Sequence, residues 1–169
     1  MGIYEEENKH YRIDLCKALW SKGNLTKMYR IAGITENLSS VDFIAEVEDK
    51  ILLIEYKNPS IKDADNPDAF REDINKFYNK IIKKYYGSIF YLLASNKVKP
   101  VHYICILEAE FFTKSKLRKK AIYKIQKRLP FKLKENAEIS DNIIVGFDIL
   151  SIAEWNERYP MFPLVSTKA

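Results

Sequence analysis

The chain has 169 residues, 47% hydrophobic and 13% aromatic, which suits one folded domain and excludes a disordered chain or a stapled mini-protein. Its two cysteines, Cys16 and Cys105, stand far apart with no Cys or His cluster, so neither a disulfide framework nor a zinc site is expected, and a reducing, cytoplasmic setting is. No basic-then-apolar leader opens the chain and its apolar runs are of strand length, so no membrane partner is expected. The net charge of +5 is local, because eight basic residues fall between Lys114 and Arg128 without an acid and the remainder is net acidic. Such a cluster suits phosphate contacts, and it also suits a solvated helix face.

In chain order, Tyr4, Tyr11, Leu15, Ala18 and Leu19 recur at helical spacing, predicting a helix over 4–21 that stops at Gly23. Glu7 falls on its apolar side, four residues before Tyr11, while Glu5 and Glu6 turn toward solvent. A short strand is expected at 27–31. Residues 41–48 and 51–57 read as a hairpin: Phe43, Ala45 and Val47 on one strand, and Leu52, Ile54 and Tyr56 on the other, form a core face. The turn at Glu48, Asp49 and Lys50 lacks an Asn-Gly signal, which leaves its length open. A helix follows with Asn66 as N-cap and Pro67 at its first position. Its stripe is Phe70, Ile74, Phe77, Ile81 and Tyr85, and Gly87 is its stop.

The runs 89–94 and 101–107 are nearly unbroken and apolar, predicting strands covered on both sides. The basic stretch keeps Leu117, Ala121, Ile125 and Leu129 at i+4 spacing, an amphipathic helix ended by Pro130. A strand over 143–149 and a short helix capped by Ser151 complete the chain. With no repeat and no linker, residues 1–169 form a single domain, an α/β sandwich around a mixed sheet.

The hairpin carries the chemistry. If its loop has an even number of residues, for example Asp49-Lys50, Asp42 faces Lys57 directly and Glu55 lies one diagonal step away on the same side. An odd loop would turn Asp42 into the core. Two adjacent carboxylates stay ionised most cheaply with a bound cation or a nearby lysine. Mg²⁺ fits two acids, because it keeps waters and takes hard oxygen ligands; Mn²⁺ is a possible substitute. Lys57 would position or help deprotonate a metal-bound water, or stabilise developing charge.

These residues, Val41-Asp42-Phe43 and Ile54-Glu55-Tyr56-Lys57, resemble the PD-(D/E)xK nuclease superfamily, whose signature is an Asp early in one strand and a Glu-x-Lys on the next. Val41 replaces the Pro of the motif's name. The resemblance spans about residues 4–107, leaving a helix-strand-helix extension over 108–160, and it implies a restriction endonuclease-like α/β/α sandwich. It also implies that Asp42 and Glu55 bind a metal with the backbone carbonyl of Tyr56, that Lys57 acts on the nucleophilic water, and that Glu7 is the candidate for the extra helical Glu of many members. The function expected is a Mg²⁺-dependent endonuclease acting on nucleic acid, DNA by preference. Arg71, Lys76, Lys80, Lys116, Lys119 and Lys120 are candidate phosphate contacts. A homodimer or a partner subunit would suit double-strand cleavage. The alternative is a nuclease-like module, without turnover, that binds nucleic acid or regulates a protein partner.

Overall fold

The computed structural model describes residues 2–59, 74–109, 112, 115–139 and 143–167. Strands β1 (Ile3–Glu5), β2 (Tyr11–Asp14) and β3 (Trp20–Gly23) come first. Helix α1 (Leu25–Ile31), the hairpin strands β4 (Phe43–Glu46) and β5 (Ile51–Lys57), and helix α2 (Ile74–Ala94) follow. The chain continues through β6 (Val101–Leu107), α3 (Ser115–Gln126), a 3-10 turn (Pro130–Glu135), β7 (Ile144–Leu150), α4 (Ile152–Arg158) and β8 (Leu164–Ser166). The class is mixed α/β.

Strands β3, β4, β5, β6 and β7 form one sheet in that order. The β3–β4–β5 part is antiparallel and the β5–β6–β7 part parallel. Parallel neighbours need a crossover, and α2 and α3 supply the two of them. Both helices pack on the same face: Phe77, Tyr78, Ile81, Tyr85 and Leu92 of α2, with Ala121 and Ile125 of α3, share a core with Ile44, Leu53, Tyr103, Cys105 and Phe147. The other face is covered by a three-stranded sheet, β1–β2–β8, and by α4. There Ile13, Leu15, Trp155, Phe162 and Leu164 pack on Phe43, Ala45, Leu52, Ile54, Tyr56 and Ile104. One outer layer is therefore helical and the other is a small sheet with one helix, where two helical layers were expected. β6 is buried on both sides, as a nearly continuous apolar strand should be.

Three expectations are corrected. Residues 4–21 form strands and turns rather than a helix: Tyr11, Ile13 and Leu15 alternate with Arg12, Asp14 and Cys16, and this period-two pattern wins because Ile13 and Leu15 are buried on β4 and β5. Lys9 turns the chain with φ 58°, and Glu6 is buried, accepting the amides of Asn8 (2.8 Å) and His10 (2.6 Å). Residues 27–31 are helical, because Leu25 and Tyr29 one turn apart are the buried pair. Finally, α2 runs through Gly87 to Ala94, so 89–94 is helix and not strand. Leu92 continues the stripe of Ile81 and Tyr85, and Gly87 serves a close approach described below. Asn66, Pro67 and Phe70, the expected helix start, lie outside the described residues. Among the described residues, no helix is long and apolar enough to cross a membrane.

The C-terminal helix begins as its sequence requires. Ser151 accepts the Glu154 amide at 3.2 Å while Glu154 accepts the Ser151 amide at 2.7 Å, a reciprocal capping box. Glu154 also takes Arg118 of α3 at 2.6 and 2.8 Å, tying α4 to α3. Ser151→Ala should cost about 1 kcal/mol, seen as a lower denaturation midpoint at unchanged slope, and Ser151→Gly only a few tenths.

Candidate functional site

Asp42 immediately precedes β4, and Glu55 and Lys57 stand two apart near the end of β5, so alternation puts the β5 pair on one face. Val47 donates its amide to the Lys50 carbonyl at 2.9 Å, leaving Glu48-Asp49 as the hairpin loop. The loop is even, as parity requires, but it sits one residue earlier than Asp49-Lys50. Phe43 then pairs with Ile54 and Ile44 with Leu53, and the next step places Asp42 opposite Glu55 rather than Lys57. A shift of two in register preserves the face.

Glu55 is fully buried, yet it carries two ammonium partners. Lys57 Nζ lies 2.9 Å from its Oε1. Lys84 Nζ, reaching down from α2, lies 2.6 and 2.7 Å from its two oxygens and 3.4 Å from Asp42 Oδ1. The other Asp42 oxygen accepts the Tyr56 amide at 2.8 Å, which pins the carboxylate toward Glu55. Paired acids and amines of equal number explain how a carboxylate with no solvent contact stays in a core. Beneath them, Cys105 stands beside Glu55 in the β5–β6 register. Burial first and the Glu55 charge second push its thiol up, so it remains protonated.

The electrostatics fix both lysines as ammonium groups. For Lys57 the Glu55 charge raises the pKa against the opposing effect of burial, with Asp42 adding to the rise. For Lys84 burial is the largest single influence and lowers the pKa, but Glu55 and Asp42 together outweigh it and the net shift is upward. Their exposure differs: the Lys57 side chain is 40% exposed and that of Lys84 18%. Lys57 therefore borders solvent while Lys84 forms the lid of the acid pair.

Lys84 was not singled out by the sequence motif, although its phase carries a signal. It lies seven residues after Phe77, three after Ile81 and four before Ser88, all buried, so it falls on the core-facing side of α2 and needs an acid there. The helix is held close by its next turn. Tyr29 donates to the Gly87 carbonyl at 2.6 Å, and a Cβ on Gly87 would collide with the carbonyl oxygen of Ser39. Ser88 Oγ, itself fully buried, accepts the Val41 amide at 3.0 Å and donates to the Lys84 carbonyl at 2.8 Å. One polar link thus joins the residue before Asp42 to the backbone of Lys84.

The other expected residues are distributed as follows. Glu7 is exposed in the turn between β1 and β2, so the helical phase that recommended it does not exist. The side chain of Tyr56 packs on the opposite face, 5.3 Å from Tyr11 between ring centres; its backbone, whose carbonyl is the expected metal ligand, meets the site through the amide bonded to Asp42. Lys76 and Lys80 are exposed on α2. Successive spacings of four place Lys76, Lys80 and Lys84 in one row along the helix. Lys116, Lys119 and Lys120 are exposed on α3. Lys120 and Lys124 border a cavity of about 140 Å³ against Tyr78 and Phe112. Arg71 lies outside the described residues.

Among the described residues no three Asp, Glu, His or Cys side chains converge into a metal cage. Two carboxylates do converge, and a single ammonium touches both. That donor set fits a hard divalent ion of the Mg²⁺ kind, which needs only one or two carboxylates beside water and phosphate, provided that the ammonium yields. A scan of family models, a search of curated proteins and a search of solved structures each return no match.

Proposed function

We propose that the chain is a metal-dependent nuclease of the PD-(D/E)xK type, hydrolysing phosphodiester bonds of nucleic acid, with DNA the favoured substrate. The observation that carries the reading is the placing of Asp42, Glu55 and Lys57 on one face of the β4–β5 hairpin, with the half-exposed Lys57 ammonium paired to Glu55 and Asp42 opposite Glu55. When bound there, a divalent ion would supply Lewis acidity and lower the pKa of a bound water. The protein's own residues do the rest. Asp42, fixed by the Tyr56 amide, and Glu55 would hold the ion. Lys57, at the solvent border, faces the phosphate and offsets charge that builds on its oxygens. Lys76 and Lys80, continuing the row from Lys84, and the basic face of α3 contact phosphates without reading base sequence. In this reading Glu7 takes no part.

The second reading keeps the fold and the surface but not the turnover. It is favoured by the lysines themselves, since Lys57 and Lys84 neutralise Asp42 and Glu55 without any ion. Cleavage of mixed DNA and RNA substrates with Mg²⁺ or Mn²⁺ separates the two. The nuclease reading expects activity that disappears in chelator and falls by about a hundredfold or more in Asp42→Ala and in Lys57→Ala. Activity that survives both substitutions, or persists in chelator, would sink the mechanism. Salt-sensitive binding without cleavage on any substrate selects the second reading.

A further inference from the structure

We propose that the Lys84 ammonium occupies the cation seat between Asp42 and Glu55, and that a divalent ion enters only by displacing it, so that Lys84 sets the metal affinity of the site. The inference rests on reading Asp42 and Glu55 as an ion-binding pair, but it concerns a residue that reading does not need. Lys84 Nζ touches both Glu55 oxygens and one Asp42 oxygen, the same oxygens a metal would use. The other Asp42 oxygen accepts the Tyr56 amide, and because Lys84 touches both Glu55 oxygens, an ion bridging the two carboxylates meets its ammonium at either one.

Charge balance makes displacement necessary. The cluster holds two carboxylates and two ammonium groups. A divalent ion added to it would leave a net charge of about +2 at a fully buried carboxylate, where like charges interact strongly. Moving Lys84 out halves that excess. Its four-carbon stem and strongly hydrated head allow the move, and its backbone stays anchored through Ser88. Lys80, one turn away on the same side of α2, marks the direction in which a phosphate backbone would receive the released ammonium. Substrate phosphate therefore assists metal entry twice: it adds negative charge at the seat and gives Lys84 a new partner. Ion and nucleic acid consequently bind with positive coupling.

The test is Mn²⁺ binding by calorimetry to the wild type, to Lys84→Met and to Lys84→Met combined with Asp42→Asn, each checked for folding by circular dichroism. Lys84→Met should bind about tenfold or more tightly than the wild type, and the added Asp42→Asn should abolish the gain. Equal affinity in the wild type and Lys84→Met, or no binding by Lys84→Met, overturns the proposal. Should Lys84→Met fail to fold, competitive acylation of the wild-type lysines answers the question on the native chain. Lys84 should be protected without Mg²⁺ and become reactive as Mg²⁺ is raised, and a rate unchanged at the highest Mg²⁺ overturns the proposal. The two readings fail separately. Equal, tight binding together with metal-dependent cleavage removes the Lys84 proposal and leaves the nuclease. Tighter binding by Lys84→Met without cleavage of any substrate supports Lys84 as the occupant and removes the nuclease.

Discussion

Glu55→Ala should lower the unfolding free energy by about 3–5 kcal/mol, read as a fall in denaturant midpoint with an unchanged slope. The side chain is fully buried and is the shared partner of Lys57 and Lys84. Removing it leaves two ammonium groups facing only Asp42, and Lys84, mostly buried beneath α2, has little water to turn to. The loss thus comes chiefly from uncompensated charge, with a smaller part from the vacated volume. Two further variants separate these contributions. Glu55→Gln keeps the volume and a carbonyl acceptor, so it should lose less than Glu55→Ala while remaining clearly destabilised. Glu55→Met combined with Lys84→Met removes buried charge of both signs, and should recover much of the loss because a pair deleted together costs far less than either partner alone. A loss below about 1 kcal/mol for Glu55→Ala would mean that both lysines find other partners at no cost, which is inconsistent with the burial of Lys84.

The same cluster shows which features of the chain were legible in its sequence. Strand parity was enough to place Asp42, Glu55 and Lys57 on one face, because an even loop of either register gives the same face. Register itself was not legible: Glu48-Asp49-Lys50 carries no residue that demands a particular turn, and the pairing is settled instead by Phe43 and Ala45 packing against β2 and α4 residues distant in sequence. The parallel strand β6 and the capped helix α4 were readable because their signals are local, an unbroken apolar run and a Ser-x-x-Glu box. The N-terminal strands were hidden by coincidence. Tyr4, Tyr11, Leu15 and Ala18 satisfy helical spacing, while the burial that makes Ile13 and Leu15 strand residues comes from the hairpin, and β8 is three residues long with its ladder partner at the other end of the chain. The role of Lys84 is hidden for a related reason. A lysine in the last turns of an expected helix is explained by the helix dipole, and only the true length of α2 turns it into a mid-helix side chain aimed at an acid.

That helix runs through Gly87, the residue whose usual reading as a helix stop is wrong here. Gly87→Ala should destabilise the protein by about 2 kcal/mol or more, the opposite sign to the gain of about 1 kcal/mol that the exchange gives in an open helix interior. The difference lies in what a methyl group would meet. It would collide with the backbone carbonyl oxygen of Ser39, which cannot rotate aside as a side chain could. Relief requires α2 to lift from the segment that leads into β4, and the Tyr29 bond to the Gly87 carbonyl and the Val41 bond to Ser88 would lengthen together. Lys84, one turn earlier, would rise with them from Glu55. The stability loss should therefore be accompanied by faster hydrogen exchange at the Val41 amide, and by acylation of Lys84 without any metal. A Gly87→Ala protein as stable as the wild type, with the Val41 amide still protected, would show that the helix has room to spare at this crossing and that the seating of Lys84 does not depend on it.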